Sequence, residues 1–338
     1  MSTNLRWGIL STAAIGTKKG VIAAMQKGEH TTVAAIASRD LAKAQEAATT
    51  FGIPTAYGSY EQLLDDPSID AIYNPLPNHL HVPWTIKAAE AGKHVLCEKP
   101  IALTVAEAET LLAIRDRTGV KIGEAFMVRS HPQWLRLREL LDQGRIGELR
   151  AVQGHFSYFN INPDNIRNRA DIGGGALMDI GCYLVHAARY AFNAQPSRVV
   201  SLISRDPEMH TDRLTSALLD FGDAKQAVFT CSTQLVPWQR LQFFGTQGRI
   251  ELEVPVNASP DREAHLYIDN GTDLYRGGLV IETFPLIDQY TAQGDAFARA
   301  VFNNTEVPVP IEDAIKNMAV IEAIFQSADT GQWQPVAS

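Results

Sequence analysis

Cysteine is scarce, with three in 338 residues: Cys97, Cys182 and Cys231. An odd, sparse set argues against a disulfide framework and for reduced thiols, hence a cytoplasmic setting. Cys97 and Cys182 lie in apolar stretches and read as core packing rather than redox groups. No apolar run approaches the roughly 20 residues that span a bilayer, so no membrane partner is expected. Met1 to Arg6 is polar and leads straight into a strand, so no secretory leader is expected. Positive charge is nowhere clustered and the formal net charge is −8. That argues against nucleic acid, whose phosphates need a basic patch. The histidines lack zinc-type pairing with cysteine or carboxylate, and His79 and His81, two apart, do not supply it; no metal is expected. A Gly-x-Ser-x-Gly nucleophile elbow is also missing, as are repeats and low-complexity segments.

The chain does carry 45% hydrophobic and 20% charged residues, an ordinary globular balance, and its length allows two full cores. Over the first third, apolar strand-like runs alternate with helical periodicity. The strands are Arg6–Leu10, Thr32–Ala37, Ala71–Tyr73, His94–Cys97 and Val120–Gly123. The helices are Lys18–Gln26, Leu41–Thr49, Val82–Ala91 and Thr104–Arg117, the last opened by a Thr104/Glu107 capping box. This alternation predicts a parallel sheet with helices on both faces. Beyond Met127 the pattern changes. A helix over Pro132–Leu141 and a strand over Leu149–Tyr158 precede a polar loop, three glycines and the helix Ala176–Tyr190. Five successive strands between Arg198 and Ile268 then predict a mostly antiparallel sheet, and helices over Thr291–Phe302 and Ile311–Ala328 close the chain. The expected division is a dinucleotide-binding domain over residues 1–126 and a substrate-binding and dimerisation domain over 127–338. The second sheet has too few helices to cover both faces, which suggests a homodimer through its bare face.

The first turn reads Gly8-Ile9-Leu10-Ser11-Thr12-Ala13-Ala14-Ile15-Gly16. A dinucleotide turn wants small residues where the chain bends and nears a pyrophosphate. Ser11 and Ala13 take the first two glycine positions and Gly16 the third; the other reading is a tight turn that binds nothing. The helix that follows would aim its positive end at the phosphates. The second strand ends at Ser38-Arg39, with Lys43 one turn on, where an NAD-restricted enzyme places an acid. A hydroxyl and a guanidinium suit a 2′-phosphate, so NADP is preferred, with NAD possible. Otherwise Arg39 stacks on adenine or lies in solvent. The third strand runs into Pro75-Leu76-Pro77-Asn78-His79-Leu80-His81, and its prolines force the chain out of the sheet at the strands' carboxyl ends, where ligands bind. Asn78 is the expected cap of the next helix. His81 either approaches the cofactor or sits in the first helical turn.

Glu98-Lys99-Pro100 closes the strand His94–Cys97. A lysine at the mouth of a parallel sheet can hold a substrate oxygen and favour the ionised form of a nearby acid–base group. Glu98 pairing with Lys99 is the structural alternative, and the sequence leaves the Lys99–Pro100 isomer open. The second cluster lies in Gly173-Gly174-Gly175-Ala176-Leu177-Met178-Asp179-Ile180-Gly181-Cys182-Tyr183-Leu184-Val185-His186. Helical spacing puts Asp179, Tyr183 and His186 on one face of an apolar helix, where they must meet polar partners or face a pocket. Tyr183, with an ammonium such as Lys99 beside it, would exchange a proton with a substrate hydroxyl, and Asp179 would orient that hydroxyl or balance the charge. For His186 a satisfied polar cluster is the competing reading.

Together these residues resemble the Gfo/Idh/MocA family of NAD(P)-dependent oxidoreductases. The likeness rests on the Gly8–Gly16 turn, Leu76-Pro77-Asn78, Glu98-Lys99-Pro100 and Gly174-Gly175-Ala176-Leu177-x-Asp179-x-Gly181-x-Tyr183. Tyrosine at 183 is similar to the branch with glucose-fructose oxidoreductase, dimeric dihydrodiol dehydrogenase and D-xylose dehydrogenase. The resemblance implies an α/β fold, a Rossmann domain followed by an open-faced, mostly antiparallel sheet domain. It implies Lys99 as the motif lysine with Asp179 and Tyr183 as partners. It places Ser11, Thr12, Ala13, Ile15, Gly16, Ser38, Arg39, Lys43, Pro75, Leu76, Asn78, His81, Glu98 and Tyr290 around the cofactor. A substrate pocket would draw on Met127, Arg129, His131, Asn160, Arg167 and His186 as well as the catalytic three. The amides and guanidiniums of residues 160–169 suit a polyol, unless that loop is merely solvated and His131 merely caps a helix. The expected reaction is NADP-dependent oxidation of an aldose at C1 to a lactone. The alternatives are another polyol, an anhydro-sugar or a cyclic dihydrodiol as substrate, or a regulator that binds cofactor or sugar without turnover.

Overall fold

A computed structural model of the chain describes residues 4–337; Met1 to Thr3, the start of the polar opening, lie outside the described residues. Contacts divide the chain into two compact units that are not continuous in sequence. One holds the residues up to Ser130 together with Asp288–Ile315, the other holds His131–Ile287 and the residues from Lys316 on. The expected cut at 126 therefore falls four residues before the end of the first segment, and the stretch from Asp288 joins the first unit rather than the second.

In the first unit, apolar segments with few breaks form a buried parallel sheet. Its strands are β1 (Leu5–Leu10), β2 (Thr31–Ala37), β3 (Thr55–Tyr57), β4 (Ala71–Asn74), β5 (His94–Cys97) and β6 (Ile122–Glu124), in the order β3-β2-β1-β4-β5-β6. Every neighbouring pair is parallel. This is the doubly wound order, with its topological switch between β1 and β4. The expected helix over Lys18–Gln26 is shortened to α2 (Val21–Met25), whose N-cap Gly20 takes a φ of +87°, and a separate short helix, α1 (Ala14–Thr17), precedes it. α3 (Leu41–Phe51) is capped by Asp40 and stopped at Gly52, and it buries Ala44, Ala47 and Ala48. The short β3 and the five-residue α4 (Tyr60–Leu64) are additional to the sequence reading. α5 (His81–Glu90) follows β4, and α6 (Val105–Thr118) follows β5. Thr104 caps α6 by accepting from the Glu107 amide at 3.1 Å, and the Glu107 carboxylate takes the Leu103 amide at 2.9 Å, one residue before the expected partner.

The second unit begins with α7 (Pro132–Asp142) and β7 (Leu149–Phe159). The predicted helix over Ala176–Tyr190 is a π-helical segment, Leu177–Gly181, running into α8 (Cys182–Phe192). Then come β8 (Arg198–Arg205), β9 (Asp212–Asp220), β10 (Gln226–Ser232), β11 (Gln234–Gly245), β12 (Gly248–Leu252), β13 (Ala264–Asp269) and β14 (Leu279–Phe284). With the terminal β15 (Gln334–Pro335) they form a nine-stranded sheet, β14-β13-β12-β11-β7-β10-β9-β8-β15. Only β7 and β10 pair in parallel. One face carries α8: the Phe156 ring of β7 lies 6.2 Å from the Tyr183 ring. The opposite face leaves Leu202, Val228 and Trp238 exposed. Among the described residues no helix is long and apolar enough to cross a membrane.

α9 (Gln289–Phe302) explains why the Asp288 stretch belongs to the first unit. It buries Phe297, Ala298 and Ala300, and the Phe297 ring lies 5.3 Å from Trp7 of β1. Its Asp295 carboxylate accepts from the amides of Glu29 (3.1 Å) and His30 (2.9 Å) just before β2. α10 (Ile311–Thr330) begins in the first unit and ends in the second. Truncating Phe297 to alanine leaves Trp7 facing a void and should destabilise the first unit by about 3–5 kcal/mol in urea titration.

Candidate active site

The turn after β1 shows why a degraded glycine fingerprint still works as a turn. Ser11 adopts φ +80°, the left-handed region that favours glycine, where the first glycine of a dinucleotide turn is wanted. Its own groups hold it there: its amide donates to Ala37 O at 2.9 Å, and its Oγ accepts from the Ala13 amide at 3.2 Å. A Cβ on Gly16 would meet the Ile22 side chain at 3.4 Å, an ordinary packing distance, so a small side chain fits there. At the end of β2, Ser38 is buried and its Oγ accepts from the Asp40 amide at 3.3 Å. Asp40 is the one acid here, and its carboxylate is used on the Ala42 and Lys43 amides that open α3. Arg39 is exposed and hydrogen-bonds the Tyr60 phenol, whose pKa is raised by burial against the pull of that guanidinium. Lys43 is exposed, its amine 4.0 Å from Asp40. A turn of small residues at the end of β1, opening onto a helix N-terminus, fits the pyrophosphate of a dinucleotide.

The exit from β4 and the exit from β5 are tied together. Asn74, fully buried, donates to His81 O (3.0 Å) and Thr85 Oγ1 (3.2 Å), and its backbone carbonyl takes the Glu98 amide at 3.0 Å. His81 is buried, with Nδ1 2.8 Å from Pro100 O and Nε2 2.6 Å from Leu76 O. Burial lowers its pKa to about 4, so the ring is neutral and carries one N–H for these two carbonyls. The Ile101 amide donates to the buried Glu124 carboxylate at 2.8 Å. Lys99 thus stands in a turn pinned on both sides, and the Lys99–Pro100 bond is cis. Glu98 accepts from the Tyr73 phenol at 2.5 Å. Tyr290, in the first turn of α9 behind its cap Asp288, has its pKa raised by burial and then by Glu98. Asn78 starts a 3₁₀ turn, Asn78–Leu80; the N-cap position of α5 is Leu80, not Asn78 as expected. Met127 is buried, and Arg129 lies 4.0 Å from Asp313.

In the second unit the Asp179 carboxylate sits in the π-helical segment with two donors. The Tyr158 phenol reaches Oδ2 at 2.6 Å and the Arg167 Nε reaches Oδ1 at 3.0 Å. Burial and then the Asp179 charge push the Tyr158 pKa upward, so that phenol stays protonated and donating. Tyr183 follows four residues on, largely buried against Phe156. His186, three residues beyond Tyr183, is buried, stacks on Tyr190 at 10° between planes, and lies 6.2 Å from Trp134. His131 caps α7 through Nδ1, which accepts from the Gln133 amide at 3.2 Å; burial lowers its pKa to about 4.

The polar loop is largely self-bonded. Asn160 Oδ1 accepts from the Asn162 amide, Asn165 Oδ1 from the Arg167 amide, and Asn168 donates to Asn160 O and Asn162 O. These Asx turns shape the segment and aim Arg167 at Asp179. The glycines complete that shape: a Cβ on Gly174 would stand 2.6 Å from Arg167 O and 2.7 Å from Arg169 O. Tyr158 is the partner of Asp179 that the sequence did not reveal. Its signal was its place two residues after Phe156, on the strand face that meets Tyr183. Among the described residues no group of three or more His, Cys, Asp or Glu is placed to hold a metal ion.

A six-stranded parallel sheet of this order, with a small-residue turn and a pinned lysine turn at its carboxyl end, defines a dinucleotide-dependent enzyme. Residues 5–126 match the family described as oxidoreductase family, NAD-binding Rossmann fold, and residues 134–251 match the GFO/IDH/MocA C-terminal domain. The chain belongs to the GFO/IDH/MocA family of NAD(P)-dependent oxidoreductases, as its motifs implied. It is 47% identical to the uncharacterized oxidoreductase ORF334 of Rhizobium meliloti, over 98% of this chain and 99% of the relative. It is 40% identical to D-xylose 1-dehydrogenase (NADP(+)) 2 of Haloferax volcanii, over 97% and 98% of the two chains. Among solved structures, aldose-aldose oxidoreductase from Caulobacter crescentus, complexed with glycerol, is similar with a TM-score of 0.89 at 28% identity, covering 98% of this chain and all of that one.

Proposed function

We propose that this oxidoreductase is an NADP-dependent sugar dehydrogenase that oxidises an aldose at C1 to the lactone. The observation that carries the proposal is Asp179, held by Tyr158 and Arg167 one turn before Tyr183. A carboxylate fixed by two donors is an orienting group for a hydroxyl-rich ligand rather than a mobile base. Similarity to a D-xylose dehydrogenase and to an aldose oxidoreductase supports the substrate class. In this reading the Tyr183 oxygen takes the proton of the C1 hydroxyl, the Lys99 ammonium holds a substrate oxygen, and Asp179 sets the ring's orientation. NADP, when bound, supplies the acceptor for the hydride. Ser11, Thr12, Ala13, Ile15 and Gly16 would hold its pyrophosphate, and Ser38, Arg39 and Lys43 its 2′-phosphate. Pro75, Leu76, Glu98 and Tyr290 would flank the nicotinamide half. The exposed face of the nine-stranded sheet, with Leu202, Val228 and Trp238, is the proposed contact of a homodimer.

A panel of aldoses, inositols and dihydrodiols, assayed with NADP and with NAD by nicotinamide absorbance, tests the substrate class. Aldoses with NADP should give the highest kcat/KM, and a faster inositol or dihydrodiol overturns the aldose reading. Lys99→Met and Tyr183→Phe should each lower kcat by about 10²–10⁴ with the fold intact by circular dichroism, and near-normal rates refute their roles. Arg39→Asp should raise the KM for NADP by about tenfold or more and leave that for NAD nearly unchanged; equal losses count against the phosphate site. Sedimentation velocity at micromolar protein should report a dimer, and a monomer removes the sheet-face contact.

A further inference from the structure

We propose that Asp212 is a positioning residue for the reaction: from the start of β9 its carboxylate fastens the first turn of the helix that carries Asp179 and Tyr183. The proposal rests on the roles assigned to those two residues above. That helix has no cap of its own, since its N-cap residue is Ala176 and makes no side-chain hydrogen bond. Asp212, 35 residues further along the chain than Leu177, supplies one. Its Oδ2 accepts from the Leu177 amide at 2.7 Å and from Thr215 Oγ1 at 2.9 Å. Its Oδ1 lies against Gly175, where an added Cβ would stand 1.9 Å away. Gly175 has φ +121°, so glycine is required there by conformation as well as by space. The Gly175 carbonyl in turn takes the Asp179 amide at 3.1 Å. The Asp212 carboxylate therefore holds Leu177 directly and packs on Gly175, whose carbonyl anchors the backbone of Asp179. An anion at a helix N-terminus is favoured by the unpaired amides and the dipole.

Asp212 is 1% exposed and makes no ion pair among the described residues. The titratable and charged groups that interact with it are Cys231 on β10, Tyr158 on β7 and Arg205 on β8; Asp179 and Cys182 act on Cys231 beside it. Burial, then Asp212 itself, pushes the Cys231 thiol well above its ordinary range, so that group is neutral. Arg205 favours the charged carboxylate from a distance and is mostly exposed. Burial outweighs these aids and raises the Asp212 pKa to about 6. Above that pH the carboxylate is ionised and caps the turn. Below it the carboxyl takes a proton, the charge that favours the amides is lost, and the backbone that carries Asp179 is held less firmly, while Tyr158 and Arg167 still hold its carboxylate.

The test compares Asp212→Ala, which removes the acceptor, with Asp212→Asn, which keeps an amide oxygen for the Leu177 N–H but cannot titrate. D-xylose and NADP serve as substrates, with Tyr183→Phe in parallel and hydrogen exchange over residues 176–183 as a readout independent of turnover. Asp212→Ala should lower kcat about tenfold with the KM for NADP unchanged, and speed exchange of that segment about tenfold with the rest unaltered. Asp212→Asn should restore kcat above neutral pH to within about threefold and flatten the fall in kcat near pH 6. Wild-type kcat and exchange in Asp212→Ala, or a wild-type acid limb in Asp212→Asn, overturns the role. If Asp212→Ala does not fold, the pH profile of Asp212→Asn decides alone. An active Tyr183→Phe overturns the site assignment and the positioning role with it. An inactive Tyr183→Phe beside an unimpaired Asp212→Ala overturns the positioning role alone.

Discussion

An ionised carboxylate taken out of water costs several kcal/mol unless donors replace the solvent it loses. The second unit is organised around meeting that demand twice within one helical turn. Asp179 is matched by a phenol and a guanidinium, and Asp212 by an amide and a hydroxyl. Each match recruits a different part of the chain. Tyr158 comes from β7, Arg167 from the Asx-turn loop, Leu177 from the helix and Thr215 from β9. Two of the three consecutive glycines follow from the same demand, because side chains at 174 and 175 would collide with Arg167 O and with Asp212.

The first unit solves a different problem with similar means. A parallel sheet delivers its strand ends to one edge, and the chain there must turn without leaving buried amides and carbonyls unpaired. Asn74, His81 and Glu124 do this for the two exits that flank Lys99. None of the three needs to touch a ligand to matter. A neutral, buried imidazole gives direction to the turn without adding charge beside the lysine.

Much of this was legible in the sequence. The alternation of short apolar runs with helical periodicity pointed to the parallel sheet, and the strand-only stretch after Arg198 to the second sheet. Glu98-Lys99-Pro100 and the Asp179–Tyr183 spacing marked the polar residues that an apolar setting must explain. What escaped the sequence reading is non-local. β3 and α4 are too short to show a period. Phe297 pairs with Trp7 across nearly the whole chain, which no local pattern records. Tyr158 and Asp212 carry ordinary strand positions, and their polar ends acquire meaning only through residues 21 and 35 positions away. The packing of His186 against Tyr190 and Trp134 is likewise non-local for Trp134 and was not visible in its spacing from Asp179. The amides of residues 160–168 read as ligand groups, and in the structure they also bond within the loop, which spacing alone did not show.

The return of α9 to the first unit bears on how the chain comes into being. Ribosomal synthesis delivers residues 1–130 first, yet the ring that covers Trp7 and the carboxylate that ties Glu29 and His30 belong to a segment beginning at Asp288. Until that segment emerges, the nascent Rossmann sheet keeps part of one apolar side uncovered while more than 150 intervening residues are made. The domain that is first in sequence is therefore not the first that can finish its core.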